Sequence, residues 1–393
     1  MSEQLAGPLS GVRVLDLSRI VAAPFATMAL GELGADVLKV ERSGGGDDSR
    51  TWGPPFVHGE SAYYLAVNRN KRSLCLDLSL RSDQDVVRRL ATEWADVLVE
   101  NYRAGSLDRW NLGLDSLRAA NPRLVTATLT GYPPGDTRPG YDFIAQADTG
   151  VMSLIGAPDG PPHKVGYPVS DMSAGMFLLS GVLAALYQRE RTGRGQHLSV
   201  SIWEAQVAVQ VNVNQNYLMT RTRPRRLGNA HPQVAPYEMI RVADGFISVA
   251  VANERQFGNL MGAIGRPDLT ADPRFSTNAG RVAHRADLIA AIESATGALS
   301  AAEALALLGR HDIACARVRT IDEVLTSPEA RQAGTVVSVE HPTIGEMPVV
   351  RLPWRFSAAT SAPRTPPPLL GEHGDVVGEI LTGQRAPDQI SAP

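Results

Sequence analysis

Cysteine is scarce in this chain. Only Cys75 and Cys315 occur among 393 residues, far apart and in apolar settings. Two thiols cannot form a disulfide framework or a zinc site with CxxC spacing, which points to a reducing, cytoplasmic setting. The eight histidines show no metal spacing, so no metal site is expected. A strong positive excess is also missing. The formal net charge of −3 argues against a nucleic-acid partner. No uncharged apolar run reaches the ~18–20 residues of a membrane helix, and no membrane partner is expected. The start, Met1-Ser2-Glu3-Gln4-Leu5-Ala6, lacks the basic and apolar regions of a signal peptide. The end, Ser391-Ala392-Pro393, carries no lipidation or peroxisomal signal. Several catalytic fingerprints are absent too. There is no GxxxxGK[ST], no HExxH, no GxSxG, and Gly44-Gly45-Gly46 lacks GxGxxG spacing.

What is present is an ordinary globular composition, 44% hydrophobic and 20% charged, in a chain long enough for two domains. The first 135 residues alternate strand and helix patterns. Strands are predicted at 12–17, 37–40, 74–78, 97–99 and 124–129. Helices are predicted at 25–33, where Pro24 starts and Gly34 stops the run, and at 83–94. Short apolar strands alternating with helices predict a parallel sheet covered on both faces. The run from Met176 to Tyr187 is apolar nearly all round and predicts a buried helix, ended by Gly193 and Gly195 before a strand at 197–202. Arg221, Arg223, Pro224, Arg225 and Arg226 read as a solvated linker. Beyond it, strand pattern around Asp244-Gly245 predicts a hairpin, and helices are predicted at 254–264, 284–296 and 301–311. Residues 336–356 return to strand pattern, and Pro366-Pro367-Pro368 excludes helix or central strand. The domains are therefore set at 1–220, a smaller α+β domain at 221–330, and a C-terminal return to the first at 331–393.

Asp171 stands in Gly166-Tyr167-Pro168-Val169-Ser170-Asp171-Met172-Ser173-Ala174-Gly175, just before the apolar helix. An aspartate there is commonly an N-cap. The same position suits a nucleophile, because a helix N-terminus and its free N–H groups keep a carboxylate ionised. The small neighbours Ser173, Ala174 and Gly175 would let a bulky substrate approach. Upstream, Tyr141 and Asp142 follow Gly140 at the end of a polar loop. The plain reading of Tyr141 is a ring packed beneath that loop. Arg42, Asn101, Arg103 and Arg109 all follow strand ends, the edge where open α/β sheets bind ligands. Guanidinium groups there suit phosphates, although each alone could be a surface charge.

These blocks resemble a known family. Leu33-Gly34-Ala35-Asp36-Val37-Leu38-Lys39-Val40-Glu41, Tyr141-Asp142-Phe143-Ile144-Ala145-Gln146-Ala147, Arg191-Thr192-Gly193-Arg194-Gly195-Gln196, Gly228-Asn229-Ala230-His231-Pro232 and Pro368-Leu369-Leu370-Gly371-Glu372-His373 are similar to class III CoA-transferases, the formyl-CoA-transferase-like (CaiB/BaiF) family. The resemblance runs essentially end to end. It implies an α/β fold: a Rossmann-like large domain built from both chain ends plus a smaller α+β domain, in an interlocked homodimer. It implies an acyl-CoA and a small carboxylic acid as substrates, with coenzyme A as substrate rather than a permanently bound cofactor. Asp171 matches the family nucleophile, which forms an aspartyl anhydride and then an aspartyl-CoA thioester. Arg42, Leu76, Asn101, Arg109 and Tyr141 match positions lining the CoA site, and Asp142 matches an acidic residue beside the active site. Two departures count against formyl or oxalyl specificity. Val21 stands where formyl-CoA transferase has a glutamine, and the glycine-rich loop expected after residue 225 is missing. The 228–232 and 368–373 blocks resemble dicarboxylate-using members, which suggests a succinyl-CoA-type donor. The family also contains α-methylacyl-CoA racemases. Their histidine base is matched here by Tyr141, whose neutral phenol is a poor base at pH 7. A racemase or isomerase, and a non-catalytic acyl-CoA-binding protein, remain the alternatives.

Overall fold

The computed structural model describes residues 6–382. The N-terminal Met1–Leu5 and the C-terminal Ser391-Ala392-Pro393, read above for targeting signals, lie outside the described residues. The chain divides into two compact units. The first comprises Met1–Val151, Lys164–Thr222 and Pro328–Pro393, and the second comprises Met152–His163 and Arg223–Ser327.

The first unit is built on strands β1 (Arg13–Asp16), β2 (Asp36–Arg42), β5 (Lys71–Leu76), β6 (Val97–Glu100), β7 (Val125–Thr130) and β8 (His197–Ser201), with a small hairpin of β3 (Phe56–Val57) and β4 (Glu60–Ser61) between them. The six long strands form one parallel sheet in the order β5-β2-β1-β6-β7-β8. Side chains alternate across it, so the two faces carry different residues. Val14, Val37, Val97 and Val125 enter one apolar core; Leu15, Leu38, Leu74 and Leu98 enter the other. This is the doubly covered sheet that the short apolar strands predict.

Helices α1 (Ala22–Glu32), α2 (Ala62–Val67), α3 (Arg81–Arg89), α4 (Ser106–Arg109), α5 (Leu114–Ala120), α6 (Asp142–Asp148), α7 (Val169–Thr192), α8 (Ile202–Ala208) and α9 (Val211–Thr220) complete the first unit's main body. The helix predicted at 83–94 runs as α3 and then continues as one wider π turn through Leu90–Trp94. Helix α1 begins three residues before Phe25, and left-handed Gly34 (φ 111°) follows its C-cap Leu33. Gly193 takes the same conformation (φ 72°) at the end of α7, where L-residues with a Cβ are strained.

Helix α7 departs from the expectation of full burial. Ala174, Leu178, Leu179, Val182 and Ala185 pack into the core, but Met176 (48%), Phe177 (42%) and Tyr187 (65%) stay exposed. Its 24 residues are long and apolar enough to cross a membrane by composition, yet half of its apolar stretch is buried against the protein.

The edge strand β5 is closed by the C-terminal segment. The Ser73 carbonyl accepts from the His373 N–H at 2.9 Å, and the Ser73 hydroxyl accepts from the Gly371 N–H at 3.0 Å. A covered edge cannot pair with another chain. Residues 336–356, predicted as strand, form a separate antiparallel hairpin of Val336–His341 and Gly345–Val350 that does not join the sheet.

The second unit has its own core around a three-stranded antiparallel sheet of Tyr237–Val242, Gly245–Ala250 and Ala314–Arg317. The predicted Asp244-Gly245 hairpin is present, and helices Glu254–Ala263, Arg285–Thr296 and Ala301–Arg310 pack on it.

Candidate active site

Two features of the first unit define the site. One is a cavity of about 350 Å3 at the C-terminal ends of β1, β2, β5 and β6. The strand order reverses between β1 and β6, which is where open α/β sheets leave a crevice for ligands. Arg42 at the end of β2 and Leu76 at the end of β5 line it, with Arg19, Lys39, Asp47, Tyr102, Arg103 and Trp110. Lys39 and Asp47 pair at 2.9 Å with both side chains fully buried. Glu41 on the wall is held by Arg50 at 2.7 Å. Among the described residues Arg42 and Arg103 form no ion pair, so two exposed guanidinium groups face the cavity unneutralised. That suits a ligand with several phosphate charges. The Tyr102 and Trp110 rings, 5.0 Å apart and edge-to-face, add an aromatic wall.

Asn101 and Arg109, expected at the CoA site, do not line the cavity but bond to residues that do. The Asn101 amide is turned onto the backbone of Arg19, accepting from its N–H at 2.9 Å and donating to its carbonyl at 2.8 Å. Arg109 donates to the hydroxyl of Ser106, a lining residue, at 3.0 Å.

The second feature is the start of α7. The helix begins at Val169, so Asp171 is its third residue and not its cap. Capping is done from outside the helix. The Asp142 carboxylate, at the first position of α6, accepts from the N–H groups of Ser170 at 2.8 Å and Asp171 at 3.4 Å. Its other oxygen accepts from buried Gln146 at 2.7 Å, and Gln146 in turn accepts from the Val165 N–H. The Ser170 hydroxyl donates to buried Gln206 on α8 at 2.9 Å. These bonds fix the first turn while leaving the Asp171 carboxyl itself without a hydrogen bond or ion pair among the described residues.

The electrostatics reverse the expectation for Asp171. Burial and then the neighbouring negative charge of Asp142 push its carboxyl up to about 7. The N–H groups expected to hold it ionised are turned to Asp142 instead. Four other buried carboxylates of this unit have cation partners, Asp16 with Lys71, Glu32 with Arg69, Glu41 with Arg50 and Asp47 with Lys39, while buried Glu100, also raised by burial, accepts from the Tyr102 N–H.

The small residues after Asp171 also serve another purpose. Ala174 and Gly175 are buried, and a Cβ on Gly175 would sit 2.6 Å from the Ala22 carbonyl. Their size lets α7 and α1 approach, and only Ser173 remains partly open. Tyr141 is 55% exposed at the head of α6, not packed beneath a loop. Tyr63, on α2, lies in the field of both Asp171 and Asp142, which with burial raises its phenol. Trp52 packs on Tyr63 with ring centroids 5.1 Å apart. Neither aromatic was marked by the sequence reading, because their approach to Asp171 crosses more than a hundred residues of chain and carries no local motif. Arg19 and Trp110, which line the cavity, likewise carry no local motif.

The first unit thus holds a cationic, partly aromatic cavity at the sheet's carboxyl edge and, at the start of α7, a carboxyl without a partner among the described residues. The comparisons give the class. The sequence model of CoA-transferase family III matches residues 9–374, and the chain belongs to that family. It is 40% identical over 390 residues to the succinate–glutarate CoA-transferase of Agrobacterium fabrum, covering 96% of this chain and 97% of that one. It is 36% identical over 378 residues to the human succinyl-CoA:glutarate CoA-transferase, covering 95% of this chain and 86% of that one. A CaiB/BaiF family protein from Brucella suis has the same fold, with a TM-score of 0.84 at 39% identity over 96% of this chain and 100% of that one.

Proposed function

We propose that the protein moves CoA from an acyl-CoA donor to a carboxylic acid, with Asp171 as the nucleophile. One observation carries the reading: at the start of α7 the Asp171 carboxyl is engaged by no cation or donor among the described residues, while Asp16, Glu32, Glu41 and Asp47 are each held by a cation.

The proposed steps are those that the resemblance to class III CoA-transferases implies. The Asp171 carboxylate attacks the thioester carbonyl, the C–S bond breaks, and CoA thiolate leaves an aspartyl anhydride. The thiolate attacks the Asp171 carbonyl of the anhydride and releases the donor acid as carboxylate. The acceptor carboxylate then attacks the aspartyl-CoA thioester, and the thiolate takes the acceptor acyl group, freeing Asp171. Each covalent intermediate retains the activation of the thioester as long as water is kept out. The cavity supplies CoA binding: Arg42 and Arg103 for phosphates, Leu76 and the Tyr102–Trp110 pair for the apolar and aromatic parts. Asn101 and Arg109 bond to the lining residues Arg19 and Ser106, and Asp142, with Tyr141 before it, stands at the Asp171 end of the site.

The donor is proposed to be succinyl-CoA or another dicarboxylic acyl-CoA, on the strength of the relatives named for succinate, glutarate and mesaconate. The working form is proposed to be a cytoplasmic homodimer. Met176, Phe177 and Tyr187 on α7 and Val211, Leu218 and Met219 on α9 present apolar surface that a second copy would cover. Light scattering should give twice the chain mass.

Incubation with a panel of acyl-CoAs, hydroxylamine trapping and peptide mapping tests the chemistry. A hydroxamate on the Asp171 peptide, absent in Asp171→Ala, is the expected result and ranks the donors. Transfer activity surviving in Asp171→Ala would refute it.

A further inference from the structure

The segment Ser18–Ile20, between β1 and α1, has nearly every backbone group held by a side chain from elsewhere. The Ser18 N–H donates to Asp16 at 2.9 Å, and the Ser18 carbonyl accepts from Lys39 at 2.6 Å. Asn101 takes both backbone groups of Arg19. The Ile20 N–H donates to Asp47 at 3.1 Å, and Ile20 sits in the left-handed region at φ 72°, which a β-branched residue avoids unless held there. Asp16, Lys39 and Asp47 are themselves buried and charged, so this framework is fixed from below.

The residue presented by this segment is Arg19. Its side chain lines the cavity, lies over the Tyr102 ring at 5.2 Å, and gives one nitrogen to Asp48 at 3.1 Å. Its Nε is buried and has no partner. Its side chain is 40% exposed where it lines the cavity, and on a backbone fixed at both peptide groups the outer nitrogens of this guanidinium are set up to meet an anion there. The Asn101 amide spends its oxygen and one of its two N–H groups on Arg19.

We propose that Arg19 binds a phosphate of the CoA ester and that Asn101 is a positioning residue that acts through the Arg19 backbone, not by its own contact with the ligand. The proposal rests on the CoA reading above. Asp16, Lys39 and Asp47 continue to hold Ser18 and Ile20 when Asn101 is altered, so the loss falls on Arg19.

A double-mutant cycle with free CoA as probe tests this by titration calorimetry. Arg19→Ala should weaken CoA about tenfold, the usual size for one charge-assisted hydrogen bond. Asn101→Ala should weaken it by up to about tenfold, and the double variant should be no weaker than Arg19→Ala alone. At saturating donor, kcat of Asn101→Ala should stay within about twofold of wild type while KM rises, the split expected for lost binding alone. Asn101→Gln, which keeps polarity but shifts the amide by one methylene, closes the same cycle if the alanine variant does not fold. Independent losses multiplying to about a hundredfold in the double variant would show that Asn101 meets the ligand itself and overturn the proposal. Wild-type affinity in Asn101→Ala would overturn it as well. Wild-type protein that binds no CoA would overturn the CoA reading, and this inference with it.

Discussion

Replacing Asp171 by asparagine should abolish transfer and, at neutral and alkaline pH, make the protein more stable. The carboxyl moves from 3.8 to about 7 on folding. The folded state therefore keeps a proton that the unfolded chain releases between about pH 4 and 7. Stability falls as pH rises through that window and is level above it. A difference of about 3 units at about 1.4 kcal/mol each gives an upper figure of about 4 kcal/mol. Asp171 is only partly enclosed, so solvent screening reduces this, and about 2 kcal/mol is the expected observable. Asparagine has the same shape and no charge. Asp171→Asn should match wild type below about pH 3, where the aspartate is neutral in both folded and unfolded chains, and gain steadily until pH is near 7. Urea unfolding of the two proteins at a series of pH values measures the difference directly, because every other titrating group cancels in the comparison. A stability difference independent of pH, or a variant less stable than wild type at pH 8, would refute the account of Asp171 as a carboxyl strained by burial and by Asp142.

The same electrostatics sets the pH dependence of activity: kcat/KM for the acyl-CoA should rise as pH passes through about 7 and then level, since the nucleophile is the ionised form. Asp142→Asn removes the neighbouring charge but keeps an oxygen for the α7 N–H groups, so the midpoint of that profile should shift down by up to about one pH unit. Gly175→Ala should cost about 1–3 kcal/mol in urea unfolding, because its Cβ would lie 2.6 Å from the Ala22 carbonyl and the two helices must part. Arg42→Ala should raise KM for the acyl-CoA about tenfold with little change in kcat, as expected for a group that binds phosphate away from the reacting atoms.

The sheet was legible because its strands are short, apolar and separated by helical spacing; nothing else in the chain competes for those segments. Asp171 was legible as a motif, yet its local environment was not. The decisive partner is Asp142, 29 residues away, and local reading offered only a choice between cap and nucleophile. Once α7 starts at Val169, Asp142 takes the N–H groups and Asp171 is left without a partner. The burial of α7 was misjudged for a related reason. A helix apolar all round implies something covering every side, but the pattern does not say that the cover belongs to the same chain, and Met176, Phe177 and Tyr187 are uncovered in this one.

The buried charges were the least legible part. Lys39 lies between apolar Leu38 and Val40 and is fully enclosed, tolerable only because Asp47 arrives from the following loop and the Ser18 carbonyl from the neighbouring strand's end. Such pairs add little net stability, since desolvating two charges offsets most of their attraction. Four of them nevertheless gather in the first unit, and three (Lys39–Asp47, Lys71–Asp16 and Arg50–Glu41) lie at or next to the cavity and the Ser18–Ile20 segment. If stability were their role, their concentration there would have no explanation, because apolar side chains of the same size would serve as well or better. Fixing backbone direction does explain it. Each charge aims a peptide group, and the aimed peptides are those that set Arg19 on the cavity wall and the first turn of α1 against the turn of α7 that follows Asp171.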